Sequence, residues 1–205
     1  MGIVAFRRYP ASGTLANAGC PRGSSSLGAT RPQRLAETFE PASNVSNICA
    51  ILVRMADDRM ADIFAAVRRG SGNPEAGRHA LRTLWDELGP AGDPLQRCVV
   101  AHHLAVLQET NEEALIWDQR ALAAVFAPGI PLDEGLRCFL PSLYLNLADS
   151  HRRVGDFDGA RMQLAIARGH LRILAHDAYG DMIRSGLDRV EEALNAGSAE
   201  RLAIR

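Results

Sequence analysis

The spacing of apolar residues predicts an all-α protein. From Met55 onward, apolar residues recur at intervals of three and four, which is the spacing of one face of an α-helix. Asp or Asn followed by proline, and acidic first turns, mark where several of these helices begin. We predict helices over about 57–69, 73–88, 93–108 and 111–126, a helical lead-in at 133–140, a helical hairpin over 141–174, and a last helix over 181–196 that stops at Gly197.

The first quarter of the chain has no such pattern. Residues 1–47 are rich in Gly, Ser, Ala, Pro and Arg and show neither helical nor strand periodicity, so we expect them to be disordered. Met55 is followed by an acidic segment typical of a protein start, and one hypothesis is that the biological start lies at or near it. We therefore divide the chain into a tail or gene-start extension at 1–54, a helical domain at 55–197 and a C-terminal tail at 198–205.

The stretch from Tyr144 to Ala167 has the residue spacing of two packed helices. Ala148 and Ala160 are small, so the two helices can approach closely, and Gly155 supplies the turn between them. The other positions of the pattern are Tyr144, Leu147, Asp156, Leu164 and Ala167. At these positions the chain resembles a tetratricopeptide repeat, with the best match over residues 141–174.

The resemblance implies an α-α superhelix built from helical hairpins. We predict three hairpins, which begin near residues 57, 93 and 141, and a closing helix after them. This arrangement would give three repeats and a capping helix. The third unit departs from the family pattern at three places. His151 stands at a tyrosine position, Leu164 at a position that is usually aromatic, and Arg172 at the final proline.

In this family the first helix of each hairpin lines a concave groove, so exposed polar residues on those helices are the candidates for binding. The resemblance implies that the groove binds a peptide or a partner protein. Only Asn146 falls at a position of the family's clamp for a C-terminal carboxylate. The groove candidates are Ser142, Asn146, Asp149 and Arg153 in the third hairpin, His103 and Gln96 in the second, and Arg59, Asp62 and Arg69 in the first.

The types of basic residue in the chain exclude several classes of enzyme mechanism. All 23 are arginine, so mechanisms that need a lysine amine are excluded, including the phosphate-binding lysine of P-loops and kinases and the Schiff base of pyridoxal enzymes. Residues 1–54 carry a net charge of +4 and the remainder −5, which argues against a nucleic-acid-binding surface on the helical part. We expect no cofactor and no nucleic-acid partner.

The cysteines and histidines leave one enzymatic alternative open. Cys98 and His102 are one helical turn apart and His103 is adjacent, a spacing at which two donors can share a metal ion. The chain has no CxxC, HExxH or GxSxG motif, so core packing is the favoured interpretation of these residues. Four irregularly placed cysteines and the lack of an apolar run of about 18 residues favour a reduced, cytoplasmic protein without a membrane partner.

These observations favour a non-catalytic interaction or adaptor module that binds a protein or peptide partner. One alternative is a regulatory helical domain that senses a ligand and shifts an equilibrium with a partner. Another is a helical metalloenzyme that uses Cys98, His102 or His103.

Overall fold

The described part of the chain contains seven α-helices. The computed structural model describes residues 57–127, 132 and 134–202, and no strand occurs among them, which confirms the all-α class. The disorder and the possible start predicted within 1–56 lie outside these residues. The helices are α1 Asp58–Gly72, α2 Pro74–Leu88, α3 Pro94–Leu107, α4 Asn111–Val125, α5 Glu134–Arg153, α6 Phe157–His170 and α7 Ala178–Asn195, with a 3-10 turn at Leu171–Ile173.

The predicted N-caps of the first three helices are confirmed. The Asp57 carboxylate accepts the backbone N–H of Arg59 at 2.6 Å, and the Asn73 side chain accepts that of Ala76 at 3.0 Å. Asp93 accepts two backbone N–H groups of α3. Each side chain replaces a hydrogen bond that the first helical turn cannot make internally, so these three boundaries were visible in the sequence.

Two other helix starts differ from the prediction, whereas α4 begins at Asn111 as predicted. The cap of α4 is Thr110, whose hydroxyl accepts the N–H of Glu113, and the cap of α7 is Asp177. Helix α7 therefore begins at Ala178 instead of Asp181. Helix α5 is continuous and has Pro141 in its interior. It includes both the predicted lead-in at 133–140 and the helix that was predicted to begin at Pro141.

Contacts between helices follow chain order. Helices with substantial backbone proximity are adjacent in the chain or, for α1 with α3 and α5 with α7, next but one. The predicted turn between α5 and α6 is confirmed, with Gly155 at φ +83°, a conformation that favours glycine. This nearest-neighbour order is compatible with an array of hairpins. The superhelical arrangement implied by the repeat resemblance stays a prediction.

Two apolar cores lie on either side of α5. The first joins α1 to α4 and the N-terminal half of α5, and the second joins the rest of α5 to α6 and α7. Small residues allow close approach within hairpins: a Cβ on Gly77 of α2 would lie 2.2 Å from the Cα of Gly70 in α1. In the α5–α6 hairpin, Ala148 and Ala160 are fully buried. Helix α5 thus contributes residues to both cores and connects them.

The C-terminal segment after α7 returns to the domain. The carbonyl of Ser198 accepts a hydrogen bond from Arg152 at the end of α5, and Leu202 packs against the second core. Arg201 donates to the carbonyl of Gln108, after α3, at 3.4 Å. Residues 198–202, predicted as a tail, therefore cross from the end of α7 past the end of α5 to the end of α3. No helix of the described part combines the length and hydropathy needed to cross a bilayer.

Candidate functional site

The side of α5 that faces α3 and α4 is polar. Asn146, Asp149, Ser150 and Arg153 lie at helical spacing along it and line a small cavity. Its remaining lining residues are Ala105 and Val106 of α3 and Ala114 and Asp118 of α4. We call this space the polar cavity. It has about 10 Å³ of room for solvent, which is close to the volume that one water molecule needs.

The candidate residues are buried, although the sequence analysis placed them on an exposed groove face. Ser142, Asn146, Asp149 and Arg153 on α5, and His103 on α3, are each less than 8% exposed. The expectation of exposure is wrong because α3 and α5 are covered on most of their circumference. The spacing of these residues shows that they share a face, but it does not show whether that face meets solvent or another helix.

Asn146 joins α5 to α3. Its Nδ2 lies 3.1 Å from Nδ1 of His102, and both side chains are buried. Its other polar atom, Oδ1, has no hydrogen-bond partner among the described residues. A buried acceptor without a partner is costly, and in a cavity it marks a place where a water molecule or a ligand group donates a hydrogen bond.

Asp118 joins α4 to α5. The Ser150 hydroxyl donates to its Oδ2 at 2.6 Å. Burial, with a smaller contribution from the nearby Asp149, raises the pKa of Asp118 to about 7, although the Ser150 hydrogen bond and Arg153 act in the opposite direction. The cavity therefore contains a carboxyl group that exchanges its proton near neutral pH.

Asp149 and Arg152 form a buried ion pair on α5 itself. Nε and Nη2 of Arg152 both donate to Oδ1 of Asp149, at 3.0 and 2.5 Å. Arg152 is fully buried, and its Nη1 donates to the carbonyl of Ser198. The pair thus satisfies the Asp149 charge and ties the C-terminal segment to the end of α5.

Arg153 anchors the end of α5 to the turn before α4. Its Nη2 donates to Oδ1 of Asn111, and Nδ2 of Asn111 donates back to the Arg153 carbonyl at 3.0 Å. Nε of Arg153 is buried and has no hydrogen-bond partner among the described residues. Burial lowers the pKa of Arg153 and the neighbouring Arg201 lowers it further. Two residues of the cavity lining thus each carry a buried polar atom without a partner in the described part of the chain, a donor on Arg153 and an acceptor on Asn146.

The other candidates on α3 and α5 lie elsewhere. Ser142 donates to the Phe139 carbonyl and accepts from the Tyr179 hydroxyl of α7, so it belongs to a different contact. The ring of His103 packs edge-on against that of His102, and burial lowers its pKa well below the usual range. Gln96 donates to the Asp57 carboxylate.

The candidates from the first hairpin do not line the polar cavity. Asp62 and Arg69 are exposed, and Arg59 pairs with Glu87 on the surface. Of the five principal candidates, the structure gathers three around one cavity: Asn146, Asp149 and Arg153.

Asp118 and Ser150 were missed by the sequence analysis. Asp118 sits within the apolar stripe of α4, next to Trp117, four residues after Ala114 and three before Ala121. A carboxylate at a core position of an amphipathic helix is a usable signal, because such a group is rarely buried without a partner. Ser150 carried no comparable signal.

The residues of the metalloenzyme alternative do not form a metal site of three or more ligands. Cys98 is buried, and burial raises the pKa of its thiol to about 12, which keeps it protonated. His102 contacts Asn146 and the ring of His103. Within the described ranges, no group of three or more His, Cys, Asp or Glu side chains is placed to hold a metal ion.

A second concavity lies between α6 and α7, with a volume of about 220 Å³. Leu164, Ala165 and Leu194 contribute apolar surface to it, and Arg168 pairs with Glu191 at its edge. It contains none of the candidate residues.

Comparison with protein-family models, with curated proteins and with solved structures finds no match to this chain. The interpretation of the polar cavity therefore depends on its own geometry.

Proposed function

We propose that this chain is a non-catalytic interaction module of the cytosol, with hairpins of the tetratricopeptide type, that binds a peptide or loop of a partner protein at the polar cavity. The observation that carries the proposal is a pair of unsatisfied buried groups, Asn146 Oδ1 and Arg153 Nε–H, on two residues that line the same cavity. An acceptor and a donor together match the hydrogen-bonding groups of a peptide.

The size of the cavity favours a macromolecular partner over a small ligand. Cavities that enclose small molecules usually measure about 300–1,000 Å³. The polar cavity, at about 10 Å³, has room for about one non-hydrogen atom at the tip of a group whose remainder lies outside it. A side chain or main-chain group of a docked peptide satisfies this condition. The ligand-sensing alternative would require the cavity to open further.

The proposal is tested by selection from a random peptide library displayed on phage, with the full chain as target. The affinity of a selected peptide is then measured by fluorescence polarisation. We expect Asn146→Leu to weaken binding about tenfold, because it removes the Asn146 acceptor and donor. Arg161→Ala is the matched control, since Arg161 is exposed on α6, which does not line the cavity.

Unchanged helicity by circular dichroism shows that both variants are folded. Two results would contradict the proposal: a selection that yields no peptide with saturable binding, or equal affinity of the selected peptide for the wild type and for Asn146→Leu.

A further inference from the structure

Two arginines from different parts of the chain converge on the turn between α3 and α4. Arg153, at the end of α5, donates to the Asn111 side chain. Arg201, in the C-terminal segment, donates to the carbonyl of Gln108. Gln108 and Asn111 flank this turn, so the two guanidinium groups are held at neighbouring points of one edge of the domain. Arg153 is buried and Arg201 is exposed, so Arg201 lies closer to solvent than Arg153 does.

Neither arginine has a carboxylate of its own. Among the described residues, no Asp or Glu lies within ion-pair distance of either guanidinium. Their like charges repel each other, since Arg201 disfavours the charged form of Arg153. Asp149 and Asp118 favour the charged form of Arg153, but neither lies within ion-pair distance of it. A bound anion would relieve the remaining repulsion between the two cations.

Arg153 and the charged groups that act on it have a net positive charge. Arg152, Arg153 and Arg201 supply three guanidinium groups, while Asp118 and Asp149 supply two carboxylates. One positive charge remains when both aspartates are ionised, and two remain when Asp118 is protonated. Arg152 is already occupied by Asp149, so the excess lies on the other two arginines.

We infer that Arg153 and Arg201 bind a carboxylate group at the turn between α3 and α4, beside the polar cavity. The inference depends on the proposed function for the source of that group, which is an acidic side chain of the partner peptide. The unpaired Nε–H of Arg153 donates to one carboxylate oxygen, and the exposed guanidinium of Arg201 approaches from the solvent side.

Charge and size favour a carboxylate over a phosphate. A single negative charge balances the excess when both aspartates are ionised, whereas a phosphate dianion would leave the site negative unless Asp118 is protonated. Asp149 and Asp118 line the cavity and would repel the additional charge. A planar carboxylate also matches the flat face of a guanidinium and needs less room than a tetrahedral phosphate.

The direct test uses acetate as the probe and the ¹⁵N-labelled full chain as the receptor. The Nε–H signal of Arg153 is followed by NMR while sodium acetate, sodium phosphate or sodium chloride is added at matched ionic strength. We expect acetate to shift this signal saturably and more tightly than phosphate, while chloride gives no saturable shift. Arg201→Gln should weaken acetate binding severalfold, and Arg161→Gln, a change to an exposed arginine paired with Asp158, should not.

A peptide experiment separates this inference from the proposed function. In a peptide selected by the full chain, each acidic residue is replaced by its amide. We expect one of these replacements to weaken the binding of the peptide to the wild-type protein about tenfold. The same replacement should weaken binding to the Arg201→Gln variant much less. If the peptide binds through Asn146 but no amide replacement matters, the carboxylate inference is wrong and the proposed function stands.

If acetate binds at Arg153 but no peptide can be selected, the proposed function fails and the carboxylate site remains. Absence of an acetate-specific shift, or tighter binding of phosphate, would overturn the inference directly.

Discussion

The two faces of α5 are both buried, yet they are built on opposite principles. Toward α6 and α7, the helix presents Leu145 and Ala148, which are fully buried in an apolar core. Toward α3 and α4, it presents Asn146, Asp149 and Arg153 around the polar cavity. The first face stabilises the fold through apolar burial. On the second face, hydrogen bonds must offset the free-energy cost of removing each polar group from water, and at least two polar atoms are left without a hydrogen bond.

This difference suggests that the two faces of α5 have different roles. An apolar α3–α4–α5 contact of the same volume would be as stable or more stable, as is generally found when buried ionic groups are replaced by apolar ones. The polar contact is therefore poorly explained by stability alone. The proposed binding would give it a reason, because a bound partner would supply the hydrogen bonds that the domain lacks.

The largest expected effect is on the apolar face. Leu145→Ala should lower the free energy of unfolding by about 2–5 kcal/mol, because Leu145 is fully buried and its truncation leaves a cavity in the second core. The measurement is urea unfolding followed by circular dichroism at neutral pH. A loss below about 1 kcal/mol would remove the contrast between the two faces.

The second prediction concerns the pH dependence of Asp118. An unfolded aspartate loses its proton near pH 3.9, while the folded one does so at about 7. Between these values the folded protein binds more protons, so raising the pH lowers the stability of the wild type. Asp118→Asn cannot ionise, and its advantage over the wild type should grow from near zero at about pH 4 to about 2–4 kcal/mol at about pH 8.

The measurement for Asp118 is urea unfolding of both proteins across that pH range. His103 acts in the opposite direction, because burial lowers its folded pKa and stability falls as pH drops below the unfolded value. His103 is present in both proteins, so its effect largely cancels in the difference. Parallel stability curves for wild type and Asp118→Asn would show that Asp118 is not desolvated as described.

The third prediction tests the tightness of the α5–α6 contact. Ala160→Leu should cost about 1–3 kcal/mol, because Ala160 is fully buried and the added side chain has no space without helix movement. Ala165→Leu is the control, since Ala165 is exposed on the same helix and leucine is a good helix former. We expect the control to change stability by less than about 0.5 kcal/mol in urea unfolding. Equal effects of the two substitutions would argue against close packing at Ala160.

The smallest expected effect is on the polar face. Asn146→Ala should change the free energy of unfolding by less than about 1 kcal/mol, because it removes one hydrogen bond to His102 together with an unsatisfied acceptor. Measured beside Leu145→Ala, it compares adjacent residues on two different faces of one helix. A loss as large as that of Leu145→Ala would mean that the polar contact stabilises the fold as much as the apolar one.

The sequence predicted the helices better than the site. Caps such as Asp57 and Asn73, and the alanine spacing of the α5–α6 hairpin, are local signals, and the structure agrees with them. The neighbours of a polar residue are not a local property. Nothing near Asn146 in the chain indicates that His102 lies against it.

The same limit explains the remaining differences. Helical spacing grouped Asn146, Asp149 and Arg153 correctly on one side of α5, but solvent access depends on how α3, α4 and the C-terminal segment pack around it. The C-terminal segment could not be placed from its composition, because Arg201 reaches the α3–α4 turn only through the tertiary fold. Asp118 could have been noticed as a carboxylate in an apolar stripe.

The central claim is that the polar face of α5 serves binding more than stability. The most direct measurement is the affinity of a library-selected peptide, together with the free energy of unfolding, for Arg153→Met and the wild type. The account predicts at least about a tenfold loss of affinity with stability changed by less than about 1 kcal/mol, since methionine retains much of the apolar stem and removes the buried charge. Unchanged affinity with a loss of several kcal/mol would contradict it.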